Sequence, residues 1–189
     1  MNKELKIGFM GTASVGKSTT AIMLSSNLGI ELHTELESKL IRKLIKKGEI
    51  ENKYNFSPEQ SKKFQNRSFK IRNRLSLRKS FISDRTAGEL WVYHKLYCEP
   101  HDTEEELVSF KNKCYEIMLR YNYLFLFPFG VIPIVDNKYR NTDSSYQSKI
   151  HFKIEEMLSD FKLSYIFLER KTMSREERLS EVLYWIKKE

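Results

Sequence analysis

The chain has 189 residues, 40% hydrophobic and 31% charged, which suits one globular domain with a proper core. Its net charge of +8 suggests an anionic partner, although a lysine-rich genome gives the same figure. Cys98 and Cys114 make neither a disulfide framework nor a zinc site and fit a reducing cytoplasm, while the longest apolar run, 123–135, is too short for a bilayer and contains Pro128 and Pro133.

The apolar stretch near the N-terminus is only a strand long, so no signal peptide is expected. The four histidines, His33, His94, His101 and His151, show no metal-ligand spacing. Residues 6–10 read as a buried strand. Residues 11–18, Gly-Thr-Ala-Ser-Val-Gly-Lys-Ser, then match G-x-x-x-x-G-K-[ST] at every fixed position. Ala21, Ile22, Leu24 and Leu28 follow at helical spacing, and Gly29 supplies a left-handed stop. Gly11 and Gly16 let the backbone bend so that successive N–H groups face a phosphate, with the positive end of the new helix behind them. Ser14, Val15 and Thr19 complete this cradle, Lys17 can reach the β- and γ-phosphates, and the Ser18 hydroxyl can hold Mg²⁺. No guanine-specific Asn/Thr-Lys-x-Asp motif appears, which favours ATP as the bound triphosphate.

Residues 30–33 form a plausible second strand. Residues 35–47 read as an amphipathic helix with Leu36, Leu40, Ile41, Leu44 and Ile45 inward, closed by Gly48. After a polar loop, Ser57-Pro58-Glu59-Gln60 opens a long helix to about residue 79. Residues 80–83 are a third strand ending at Asp84-Arg85-Thr86, followed by a helix over 87–98. A capping box at Thr103 and Glu106 opens a helix ending near 120. The fourth strand covers 123–127, and 128–142 form a longer irregular loop of the kind that carries function. A helix over 143–161, a fifth strand over 165–168 and a helix capped by Ser174 and Glu177, running to 187, complete the chain.

Strands alternating with helices predict an α/β P-loop NTPase fold, with a five-stranded, mostly parallel sheet and helices on both faces. Residues 1–189 form a single domain in this reading, with a small lid near 169–178. Ligands bind beyond the carboxyl ends of such strands, so the P-loop, Glu35, Asp84 and 128–142 should meet on one edge.

The strand ends supply the chemistry. Asp84 can complete the Mg²⁺ site directly or through water, and Arg85 can bind a phosphate or an acceptor oxygen. An Asp-Arg pair at a helix start also serves as a simple cap. Glu35 can act as general base toward an attacking hydroxyl, or merely place favourable charge at a helix N-terminus. Arg170, Lys171, Arg175 and Arg178 cluster after the fifth strand, where Arg175 and Arg178 can neutralise charge on a transferred phosphoryl group or form a solvated face. Arg140 is a weaker candidate for substrate contact.

Residues 61–83 hold eight Lys or Arg and no acid. Lys63, Arg67, Lys70, Arg74 and Arg78 form one stripe, bordering an apolar stripe of Phe64, Ile71 and Leu75 that is expected to dock on the core. A solvated face usually carries acids for i,i+4 pairing, so their absence favours a polyanion-facing surface, with DNA a candidate partner of helix 62–79.

These features together resemble the small P-loop kinases: residues 11–20, Thr34-Glu35, Ser83-Asp84-Arg85-Thr86, Tyr139-Arg140 and the Arg-Glu-Glu-Arg of 175–178. The likeness is to the AAA-type ATPase/kinase family that includes the nicotinamide riboside kinase domain, and more distantly to deoxynucleoside and thymidylate kinases. It implies a substrate-contacting or basic glutamate at Glu35, Mg²⁺ support from Asp84 and an acceptor- or phosphate-binding arginine at Arg85. Where that family often has Asp-Gly-x-Arg after strand four, this chain has Asn137-Lys138-Tyr139-Arg140. The expectation is therefore an ATP·Mg²⁺-dependent kinase acting on a hydroxyl of a nucleoside- or nucleotide-type acceptor. A kinase of 5-hydroxymethyluracil in DNA and a regulatory P-loop ATPase are its rivals.

Overall fold

The computed structural model describes residues 4–51, 56–132, 143–168 and 174–188. Five strands, β1 (Lys6–Met10), β2 (Leu32–His33), β3 (Phe81–Asp84), β4 (Tyr123–Leu126) and β5 (Ile166–Phe167), form one sheet in the order β2-β3-β1-β4-β5. Every pairing is parallel, with Phe9 opposite Asp84 on one side and Phe125 on the other. The helices are α1 (Lys17–Leu28), α2 (Leu36–Lys46), α3 (Pro58–Ser76), α4 (Ala87–Cys98), α5 (Glu104–Met118), α6 (Ser144–Asp160) and α7 (Arg175–Lys187).

Alternation along the buried strands divides the core in two. Ile7, Phe9, Tyr123 and Phe125 point to a layer with α1 and α7, where Phe9 meets Phe125 edge-on with centroids 5.7 Å apart. Met10, Leu124 and Leu126 point to the opposite layer, packed by α4, α5 and α6. Right-handed crossovers in a parallel sheet require this distribution. A third, smaller cluster joins α2 to α3 through Leu40, Leu44, Ile50, Phe56 and Phe64. Among the described residues, no helix is long and apolar enough to cross a membrane.

The expected capping boxes form at Ser57, Thr103 and Ser174, each hydroxyl accepting from the N–H three residues on. A polar tie joins three helices. Lys62 of α3 lies 2.5 Å from Asp102 and 3.1 Å from Glu106 of α5, while Asp102 lies 2.6 Å from the buried His94 of α4. The His94 ring stacks on Phe110, 3.9 Å between centroids.

Two helical faces differ from expectation. Ile22 and Ile45 are exposed, because the apolar demand of α1 and α2 is met by narrower stripes. The buried face of α3 is Ser61, Gln65, Ser68, Arg72 and Ser76, with Phe64, Ile71 and Leu75 only half-buried beside it. Small side chains let α3 lie close against α4, and a polar face suits a helix that borders a cavity. The helix also stops at Ser76, so Arg78 belongs to the following turn.

Candidate active site

All five strands run the same way, so their carboxyl ends open onto one cavity of about 630 Å³. The loop after β1, the β2–α2 junction, Asp84-Arg85, and residues of α3, α4, α6 and α7 line it. Among the described residues, four non-glycine positions have left-handed backbone, and Ser14, Glu35 and Arg85 of these line this cavity. Such conformations cost free energy and persist where surrounding contacts enforce them, commonly at functional sites.

The loop of residues 11–16 turns through φ of 135° at Gly11, 61° at Ser14 and 91° at Gly16. Lys17 is buried, and its ammonium donates to the Gly11 and Thr12 carbonyls at 2.7 and 2.5 Å. Ser14, Val15, Gly16, Ser18 and Thr19 face the cavity with it, and Gly11 sits at the base of the loop against Phe127. A Cβ at Gly16 would collide with the guanidinium of Arg178, which is itself buried and donates to the Val15 carbonyl at 3.1 Å. Burial pushes Arg178 down from the ordinary arginine value.

Ser18 donates to Asp84 Oδ2 at 2.5 Å, and the Thr34 hydroxyl reaches the same oxygen at 3.1 Å. Three hard oxygen donors beside Lys17 are the donor set that Mg²⁺ prefers, so these residues fit that ion.

Glu35 and Glu37 also line the cavity but differ in their engagement. Glu35 is 60% exposed, and among the described residues its carboxylate pairs with Arg42 alone, at 3.4 Å. Glu37 accepts from Arg72 Nε at 3.0 Å and Nη2 at 2.6 Å, a two-pronged pair. Burial opposes the Arg72 charge, but Glu37 and Tyr121 outweigh it and hold the guanidinium above its ordinary value. Arg72 also donates to the Arg85 carbonyl at 2.6 Å, bracing that residue's left-handed backbone. The Arg85 guanidinium lies over the Tyr93 ring, 5.6 Å from its centroid, and donates to the Tyr93 hydroxyl at 3.3 Å.

Gln65, Arg72 and Glu89 are site residues that sequence spacing did not single out. Gln65 is 4% exposed and Glu89 1%, and Oε1 of each lacks a hydrogen-bond partner among the described residues. Burial pushes the Glu89 carboxyl up from the usual range, with Lys17 and Arg85 pulling the other way. Phe64, Tyr93 and Tyr97 add aromatic surface to the same cavity. The available signal was the polar or small series 61, 65, 68, 72, 76, which repeats at helical spacing without a lysine or carboxylate.

Among the lid candidates, exposed Arg175 joins Arg178 at the cavity, while Arg170, Lys171 and the rest of 169–173 lie outside the described residues, as does Arg140. The basic stripe stands apart: Lys63, Arg67, Lys70, Arg74 and Arg78 do not line the cavity. Lys63 pairs with Glu59 at 2.8 Å, Arg67 with Glu49 at 2.6 Å and Arg78 with Glu31 at 3.9 Å.

No curated protein matches this chain. Among solved structures it is similar to deoxyadenosine kinase from M. mycoides with dCMP and dCDP bound: TM-score 0.69, 18% identity, 97% of this chain and 99% of that chain covered. It is similar to the NadR protein in complex with NR at TM-score 0.69 and 16% identity, covering 96% of this chain and 51% of that one. Shikimate kinase from Aquifex aeolicus follows at TM-score 0.56 and 19% identity, with 97% and 96% covered. Such identities speak to the fold. With residues 6–178 matched by the model of the AAA domain, the chain belongs to that AAA domain family and carries the fold of the small P-loop kinases.

Proposed function

We propose that the chain is a kinase that moves the γ-phosphoryl group of ATP to a hydroxyl of a nucleoside-type acceptor. One observation carries the acceptor class. In the same cavity as the P-loop, the buried Gln65 amide and Glu89 carboxyl each present an oxygen without a hydrogen-bond partner among the described residues, and Phe64, Tyr93 and Tyr97 share the lining. The Glu89 oxygen lies 4.0 Å from Arg85. A planar heterocycle edged with donors suits that chamber, because stacking uses the rings and each unmade hydrogen bond otherwise costs free energy. The nucleoside and nucleotide ligands named for the structural neighbours support the same reading.

In this reading Lys17 and the amides of residues 14–19 hold the phosphates. Ser18 and Asp84 hold Mg²⁺, which when bound neutralises phosphate charge. Glu35 orients or deprotonates the acceptor hydroxyl, since Glu37 is already committed to Arg72. Arg85, Arg175 and Arg178 neutralise charge on the phosphoryl group in flight. Arg140 remains a candidate substrate contact.

A second reading places the acceptor in DNA, and the exposed Lys70 and Arg74 favour it, having no ion pair among the described residues. Incubating labelled ATP with free nucleosides, nucleotides and 5-hydroxymethyluracil duplex separates the readings. Label on a free nucleoside is expected. Label confined to duplex, with a salt dependence that flattens by roughly two log–log units in Lys70→Ala/Arg74→Ala, overturns the small-molecule reading. Phosphate release indifferent to any acceptor overturns both in favour of a regulatory ATPase.

A further inference from the structure

We propose that Tyr146 and Gln147, consecutive on α6, are a positioning pair that couples the triphosphate loop to the acceptor end of the cavity. Gln147 is buried, and its Oε1 accepts from the Ala13 N–H at 3.0 Å, across 134 residues of chain. This bond fixes the first half of the loop, just before the left-handed Ser14. Tyr146 turns to the other end. Its hydroxyl lies 2.5 Å from that of Tyr97, and the Tyr97 ring lies parallel to Tyr93, at 6.3 Å and 2°. Tyr93 in turn carries the Arg85 guanidinium. Adjacent residues of one helix therefore grip the phosphate loop and the acceptor-side arginine.

An acceptor that presses on Tyr93 or Tyr97 shifts Tyr146, and the shared helical backbone carries the shift to Gln147 and the Ala13 amide. Coupling of this kind is reciprocal: each ligand must tighten the other by the same factor. It differs from a packing role, which changes stability without linking two affinities.

The acceptor arm rests on the nucleoside reading, so the experiment has two independent parts. Calorimetric titration of AMP-PNP into the full chain is run alone and with each of a panel of ribonucleosides and deoxynucleosides at saturation. Wild type should bind AMP-PNP about fivefold more tightly in the presence of its acceptor, the scale of one hydrogen bond. Tyr146→Phe, which deletes one oxygen, should bring that ratio close to one. Gln147→Met, similar in volume but lacking the acceptor oxygen, should weaken AMP-PNP alone by about fivefold. A wild-type ratio retained in Tyr146→Phe, or an AMP-PNP affinity unchanged in folded Gln147→Met, overturns the pair. If Gln147→Met fails to melt cooperatively, Tyr97→Phe takes its place and must lower the ratio as Tyr146→Phe does. If no nucleoside of the panel binds wild type, the acceptor reading fails, and an unchanged AMP-PNP affinity in Gln147→Met still overturns the grip of Gln147 on the loop.

Discussion

Arg178 donates to the Val15 carbonyl at 3.1 Å, which brings the last helix down on the phosphate loop from 163 residues away. The approach is possible because Gly16 has no side chain, and Gly16 also needs φ of 91°. Gly16→Ala should therefore weaken ATP binding by more than about tenfold while leaving the sheet intact, a shift above 1.4 kcal/mol. Arg178→Ala should instead lower kcat by about 10²–10³-fold, the usual loss for one charge-stabilising donor. Steady-state kinetics against ATP concentration separate the two. Normal turnover in Arg178→Ala would remove it from the reaction.

Asp84 accepts from two hydroxyls, those of Ser18 and Thr34, so its carboxylate organises the oxygen donors near Lys17. Asp84→Asn keeps the shape but loses the charge. The Mg²⁺ concentration for half-maximal rate should rise by about 10–100-fold, as it does when ligands or their supports are altered. A magnesium titration that superimposes on wild type would move the ion elsewhere.

Glu35 and Glu37 stand two residues apart and should fail in different ways. Glu35→Gln should lower kcat by about 10²–10⁴-fold with ATP affinity and melting little changed, as for loss of a general base. Glu37→Gln strands the buried Arg72 and should cost stability, about 3 kcal/mol by denaturant unfolding. Arg72→Met should cost a similar amount and also release the Arg85 backbone. Interchanged phenotypes would make Glu37 the base and Glu35 the structural partner.

The histidines set a pH dependence of stability. His94 faces Asp102, Lys62 and Glu106, and burial lowers its pKa more than Asp102 raises it. His33 and His151 are lowered by burial as well. A folded-state pKa below the unfolded value means that acid protonates the unfolded chain first. Stability is therefore full above about pH 6.5 and falls as pH drops below it, by up to about 1.4 kcal/mol per pH unit for each proton involved. Thermal melts from pH 7.5 to 5 should show the decline, and His94→Gln should make it shallower. Melting temperatures that rise on acidification would mean that Asp102 holds His94 charged in the folded protein.

The phosphate loop is legible in sequence because backbone geometry dictates its residue types. Gly11 and Gly16 stand at its most positive φ values, and a lysine and a hydroxyl stand where phosphate and cation charge must be met. Strand bounds fall within two residues of expectation, since apolar runs between turn signals leave little choice. The acceptor end is harder to read for an equally physical reason. Hydrophobic periodicity finds the faces that pack, and the inner face of α3 packs with serines, a glutamine and an arginine. Arg72 is one of eight basic residues over 61–83, and only its place in the series 61, 65, 68, 72, 76 separates it from the solvated Lys70 or Arg74. Glu89 reads as a helix-capping acid, and it does accept from the Thr86 N–H at 2.9 Å. Its second oxygen faces Arg85 four residues back, and acquires meaning only when Lys17 arrives from the loop after β1.

The outermost strands, β2 and β5, are each two residues long, whereas the three between them have four or five. An unpaired sheet margin is a template for another chain, and a short one offers few amide and carbonyl groups to copy. Tyr165 and Phe167 stand exposed at the β5 margin, where a longer ribbon would present them as a sticky ladder. Brevity at both margins guards a crowded, newly made chain against stacking on its siblings before the interior has closed.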